Sequence, residues 1–153
     1  MISLLDAATE GRGVYSIAEA ARYAKVPPAT IRNWFFPAKG APGMRRGDIE
    51  NPQQRALSFY DFVELLAVRS LRIDYNVSLR AVRDAIEFAQ KQFGKEHIFA
   101  REKHRTFIDN HRQIHVILEG EAHPVAFSGK EIGQQSIQPC MELYLQDLRF
   151  NRE

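Results

Sequence analysis

The sequence predicts a mainly α protein of the α+β class, and three observations carry that reading. Two short helical patterns meet at a double proline, Pro27 and Pro28; two longer amphipathic patterns fill residues 58–93; and a strand-like alternation follows over residues 105–118. A chain of 153 residues is one domain of ordinary size or a small domain with an appendage, which excludes a multidomain enzyme. The expected division is a head over residues 1–94 and a smaller tail over residues 95–153. With 44% hydrophobic and 26% charged residues the chain can bury a core, and wholesale disorder is not expected. One cysteine, Cys140, permits no internal disulfide and no cysteine-based metal site. The first residues lack the basic start, apolar stretch and cleavage site of a secretory leader, and no run approaches the roughly 18 apolar residues of a membrane span. A cytoplasmic protein with no membrane partner is expected.

The first helix starts at Ile17. Ser16 and Glu19 have the spacing of a capping box, in which each side chain satisfies a backbone N–H that the helix leaves unpaired. Ile17, Ala20, Ala21 and Ala24 then recur at three- and four-residue spacing, giving an apolar stripe of small residues that ends near Ala24. Pro27 and Pro28 cannot continue this helix but suit the first turn of another, so a second helix begins near Pro28. On it Ile31 and Trp34 lie on an inward face, while Ala29, Thr30, Arg32 and Asn33 mostly project elsewhere. Prolines 37, 42 and 52 and glycines 40, 43 and 47 make the following segment a loop or loose hairpin.

Ser58 and Asp61 mark another capped start, with Phe59, Phe62, Val63, Leu66, Val68 and Leu71 supplying an apolar face up to about Ile73. Ser78 caps the next helix, whose Leu79, Val82, Ala85, Ile86, Ala89 and Phe93 share one side before Gly94 stops it. The alternation over residues 105–118 predicts two short strands, with Asp109, Asn110 and His111 at the turn and Ile114, Val116 and Leu118 on one face. Residues 124–127 supply a third strand, and Met141, Leu145 and Leu148 predict a C-terminal helix.

Two short helices joined by a sharp turn, the second with a polar outer face, describe a helix-turn-helix, whose second helix normally enters the DNA major groove. An αα-corner with solvated polar residues fits the same pattern. Between Arg22 and Arg55 seven basic residues stand against two acidic ones, a local charge of +5 in a chain of net +2, which fits an electrostatic footprint for a polyanion and equally a chance cluster of surface cations. Arg32 has the chemistry to donate to guanine or phosphate, and Asn33 to pair with adenine; Arg22 and Lys25 are placed to neutralise phosphates. Ser16, Pro28, Ala29 and Thr30 complete the candidate DNA face, with Lys39, Arg45 and Arg46 on the exposed part of the loop as a wing.

SIAEAARYAKVPPATIRNWF, the basic loop and LSFYDFVELLAVRSLRIDYNVSLRAVRDAI, in that order, resemble the MerR-type winged helix-turn-helix domain over residues 15 to about 93. The resemblance implies that Arg32 holds the DNA backbone, that Ala29, Thr30 and Asn33 face the groove and that Arg45 and Arg46 lie in the wing. Trp34 and Phe35 replace the usual tyrosine pair, and the wing is longer than usual. The long dimerising helix of MerR regulators is missing after Gly94; a MerR-like head joined to this kind of tail is similar to VapB-type antitoxins, whose partners are PIN-domain ribonuclease toxins. Members of that family usually continue beyond this point. The resemblance implies operator DNA as one partner and the toxin as another, with Arg149 and Arg152 near the tail's end placed to enter the toxin's acidic metal site. A homodimer is expected, since one short recognition helix reads too few base pairs alone.

Two other functions stay open: a stand-alone MerR-like transcription regulator whose tail dimerises or senses a ligand, and a protein-interaction module that never touches DNA. Metal chemistry finds little support. His111 and His115 are four apart, which aligns ligands on a helix but not on a strand, and the further histidines, His97, His104 and His123, do not complete the cysteine and acidic ligand set of a structural zinc site. Cys140 has no basic neighbour in sequence to activate it. Without a phosphate loop, GxSxG or HExxH motif, no enzyme and no cofactor are expected.

Overall fold

The structure, a computed structural model, describes residues 14–36, 43–44, 47, 55–101 and 103–143. Among these residues it is a mixed α and β protein with four α-helices and two small antiparallel sheets. The chain divides into two compact units, Met1–Leu66 and Ala67–Glu153. Among the described residues no helix is long and apolar enough to cross a membrane.

In the first unit, strand β1 (Val14–Ser16) leads directly into helix α1 (Ile17–Ala24), and helix α2 (Pro28–Phe35) follows after three residues. Strand β2 (Ala56–Ser58) pairs antiparallel with β1, Tyr15 opposite Leu57, and runs straight into helix α3 (Phe59–Arg69). The start of α3 is fixed as its spacing predicts: the Asp61 N–H donates to Ser58 Oγ at 3.0 Å, and the Ser58 N–H donates to Asp61 Oδ2 at 3.2 Å. Ala20, Ala24, Ile31, Trp34, Phe35, Leu57 and Phe62 form the apolar core of this unit. Tyr15 stacks on Phe62 with ring centroids 4.5 Å apart, which ties the short sheet to α3.

In the second unit the helical path continues from α3 through a π-helical turn, Ser70–Asp74, in which the Tyr75 N–H reaches back to the Ser70 carbonyl at 3.2 Å. Helix α4 (Leu79–Phe93) is capped by Ser78, whose hydroxyl accepts from the Ala81 N–H at 3.1 Å, and it ends at Gly94 in the left-handed conformation. Of the side that the spacing predicts, Val82, Ala85, Ile86 and Ala89 are buried, together with Ala81, whereas Leu79 is half-buried and Phe93 is 42% exposed. Strands β3 (Arg105–Ile108), β4 (Ile114–Ile117), β5 (Val125–Ala126) and β6 (Met141–Leu143) form an antiparallel sheet in the order β5-β4-β3-β6.

All four residues of β4 are buried, and α4 packs against this strand. Phe127 packs against both Phe88 and Phe93 of α4, edge-on to the first and stacked on the second, with centroids 5.0 and 5.8 Å away. The outer edge of β5 is closed by the chain itself. The Gly133 N–H donates to the Ala126 carbonyl, the Ala126 N–H to Gln134 and the Ser136 N–H to Pro124, at 2.8, 2.9 and 2.9 Å.

One expectation is overturned. Met141 does not open a helix: Met141–Leu143 is a strand on the free side of β3, with Thr106 opposite Leu143 and Ile108 opposite Met141. The helical spacing of Met141, Leu145 and Leu148 is a local signal, whereas the unpaired backbone of β3 offers three residues of ladder hydrogen bonds. Arg105 and Glu142 reinforce the pairing with two hydrogen bonds of 2.8 and 2.7 Å, and this contact holds the Glu142 carboxyl below the usual carboxylate range. The remainder of that expected helix lies outside the described residues.

Candidate functional site

The face expected to meet DNA is built by one sharp turn. Ser16 and Glu19 make the reciprocal capping box, both hydrogen bonds at 3.0 Å, so the Ser16 hydroxyl is engaged in starting α1. Lys25 ends α1 in the left-handed conformation, φ 60° and ψ 44°, with its N–H donating to the Ala21 carbonyl. Pro27, extended at φ −64°, and Pro28 at the first helical position then start α2.

Ile31, Trp34 and Phe35 anchor α2, with exposures of 0, 6 and 0%. Two backbone contacts finish its end: the Met44 N–H donates to the Trp34 carbonyl at 3.0 Å and the Gly47 N–H to the Phe35 carbonyl at 3.1 Å, supplying partners that the helix terminus lacks. Gly47 is also held close to Asp61, where an added Cβ would lie 3.2 Å from Oδ2.

On the other side of α2, Pro28, Ala29, Arg32 and Asn33 are exposed and Thr30 is half-buried; Arg22 and Lys25 are exposed on α1 and the turn. Lys25 and Arg32 have no ion-pair partner among the described residues. Tyr23, which sequence reasoning passed over, is 58% exposed beside them, with the Arg22 guanidinium 5.5 Å from its ring centre. The cations and the polar face of α2 therefore share one firmly anchored helical pair. Lys39, Arg45, Arg46, Arg149 and Arg152 lie outside the described residues.

The second unit holds a polar cluster that sequence reasoning did not assemble. Asp109 Oδ1 accepts the backbone N–H of His111 at 2.8 Å and of Gln113 at 3.0 Å, which shapes the β3–β4 turn. Asp109 Oδ2 lies 2.8 Å from His115 Nε2, and His115 Nδ1 lies 2.5 Å from Ser136 Oγ. The His115 and Asp109 side chains are 2% and 3% exposed. Burial pushes the Asp109 carboxyl up, but the hydrogen bonds from His115, Gln113 and His111 outweigh it and hold the group below the usual carboxylate range.

A cavity of about 560 Å³ adjoins this cluster, lined by Asp109, His111, Gln113, His115, Ser128, Lys130, Glu131, Ile137 and Gln138. Among the described residues no three His, Cys, Asp or Glu side chains gather as a metal site would require. Cys140 donates to the Gln138 carbonyl at 3.5 Å, and burial together with the Asp109 charge pushes its thiol up, away from the reactive thiolate. The sequence signal for the cluster was the turn aspartate with a histidine six residues on; Ser136 arrives from a loop 21 residues beyond that histidine, a distance no local pattern spans. No protein-family model, curated protein or solved structure matches this chain.

Proposed function

We propose that the protein binds duplex DNA through α1, the turn at Lys25 and α2, and that it acts as an antitoxin repressing its own operon and neutralising a PIN-type ribonuclease. The observation that supports DNA binding is α2 itself: an exposed face of Ala29, Arg32 and Asn33 held from behind by buried Ile31, Trp34 and Phe35. A recognition element must be rigid so that side chains meet base edges without losing further freedom on binding. Arg32 and Asn33 supply the donors and acceptors that read bases, and Arg22 and Lys25 supply phosphate contacts that set the register. Two copies on two half-sites give the usable affinity, so the active form is a homodimer. The toxin partner rests on the resemblance of the tail to VapB-type antitoxins.

Fluorescence anisotropy with duplex DNA from upstream of its own gene tests the DNA reading. Arg32→Ala should weaken binding by about 1 to 3 kcal/mol; an unchanged affinity would remove α2 from the interface. The cavity beside Gln113 favours a second reading, a stand-alone regulator whose tail takes a small ligand. Co-expression with the neighbouring nuclease separates the two: rescue of growth supports the antitoxin, and its absence together with intact DNA binding supports the regulator.

A further inference from the structure

We propose that Ser136, His115 and Asp109 form a nucleophile, base and orienting group that hydrolyse small carboxylic esters at the Ser136 hydroxyl, beside a cavity that His115, Asp109 and Ile137 line. This activity belongs to the second unit and does not depend on DNA binding.

The geometry supplies the nucleophile, the base and the group that orients it. A serine hydroxyl is a weak nucleophile unless a base within hydrogen-bond reach takes its proton, and His115 Nδ1 is 2.5 Å from Ser136 Oγ. The base must be held in one orientation, and Asp109 Oδ2 does this from the opposite ring nitrogen at 2.8 Å. Asp109 is itself fixed, because its Oδ1 accepts two backbone N–H groups. The nucleophile sits on anchored backbone: the Ser136 N–H donates to the Pro124 carbonyl at 2.9 Å, and neighbouring Gln135 bridges to Val125.

Gln113 lines the cavity as well. Gln113 Oε1 accepts from Ser128 Oγ at 2.7 Å, while the Gln113 Nε2 amide has no partner among the described residues. The side chain lies against Gly129, where an added Cβ would lie 2.8 Å from Gln113 Cγ and 2.9 Å from Cδ. Gly129 also has φ +86°, so glycine is required there for both space and conformation. Ile137, next to the nucleophile and 90% exposed, supplies apolar contact for an acyl or alkyl group.

The reaction balances without a cofactor. Ser136 Oγ bonds to the ester carbonyl carbon as its proton passes to His115. The C–O bond to the alcohol breaks, and His115 returns the proton to the leaving alkoxide. Water then repeats the sequence on the acyl-serine, releasing the acid and regenerating the hydroxyl.

Treating the full chain with an alkyl fluorophosphonate should add one phosphonyl group, and peptide mapping should place it on Ser136. The same protein should hydrolyse p-nitrophenyl acetate, with Ser136→Ala slower by about 100-fold or more while its circular dichroism is unchanged. Asp109 acts through His115, so Asp109→Asn should shift the pH profile of hydrolysis as well as lower the rate. A label on another residue or none, or Ser136→Ala hydrolysing at the parent rate, overturns the assignment. Labelling of the unaltered chain decides the question even if a variant fails to fold.

Discussion

At the scale of single residues, Lys25 carries the most pointed expectation. Its left-handed backbone, φ 60°, is a conformation that glycine adopts without steric cost and that other L-residues adopt at about 1 kcal/mol. A long cation kept there in spite of that strain points to a use for its charge. Lys25→Gly should therefore leave the fold as stable or raise it by up to about 1 kcal/mol, while weakening DNA binding and reducing the salt slope by roughly one phosphate contact. Thermal melts and a salt titration of the same variant measure the two effects. Arg32→Ala should instead relax sequence preference, or lower the slope alone if Arg32 grips only phosphate; titrations against operator and scrambled duplexes distinguish the two roles.

At the scale of elements, the two helix pairs were legible and the tail was legible only in part. Capping residues announce helices locally: Ser16, Ser58 and Ser78 each sit three residues before the N–H that their hydroxyl accepts. Asp109 likewise marks its own turn. The pairing of Met141–Leu143 with β3 was not legible, because a strand's partner lies far away in sequence and three residues carry no usable period. His104 and the polar cluster on the β3–β4 turn should together set the acid stability of the second unit. Burial leads in lowering the His104 pKa, and Asp109 is also held below its ordinary value. For both groups the unfolded chain takes up protons first as the pH falls, so it is favoured by acid. Stability should be full above the ordinary imidazole range, fall through the lowered His104 value, and fall again from the ordinary carboxylate range through the Asp109 value. Asp109→Asn should cost about 1 to 3 kcal/mol at neutral pH and flatten the second of these steps, which urea denaturation at a series of pH values would reveal.

At the scale of the whole molecule, light scattering at micromolar concentration should give twice the chain mass if the proposed two-fold reading of DNA holds; a monomer with single-site binding would remove the dimer. The strand order has a practical bearing on handling the protein. Because β6 flanks β3, any version shortened to end before Met141 strips the partner from Thr106, Phe107 and Ile108 and turns an interior strand into a raw border. Exposed ladder groups of that kind recruit strands from other molecules. Such shortened chains should come out as soluble aggregates or inclusion bodies even though every helix they retain is intact, so a deletion series that charts solubility would find its step at residues 141–143.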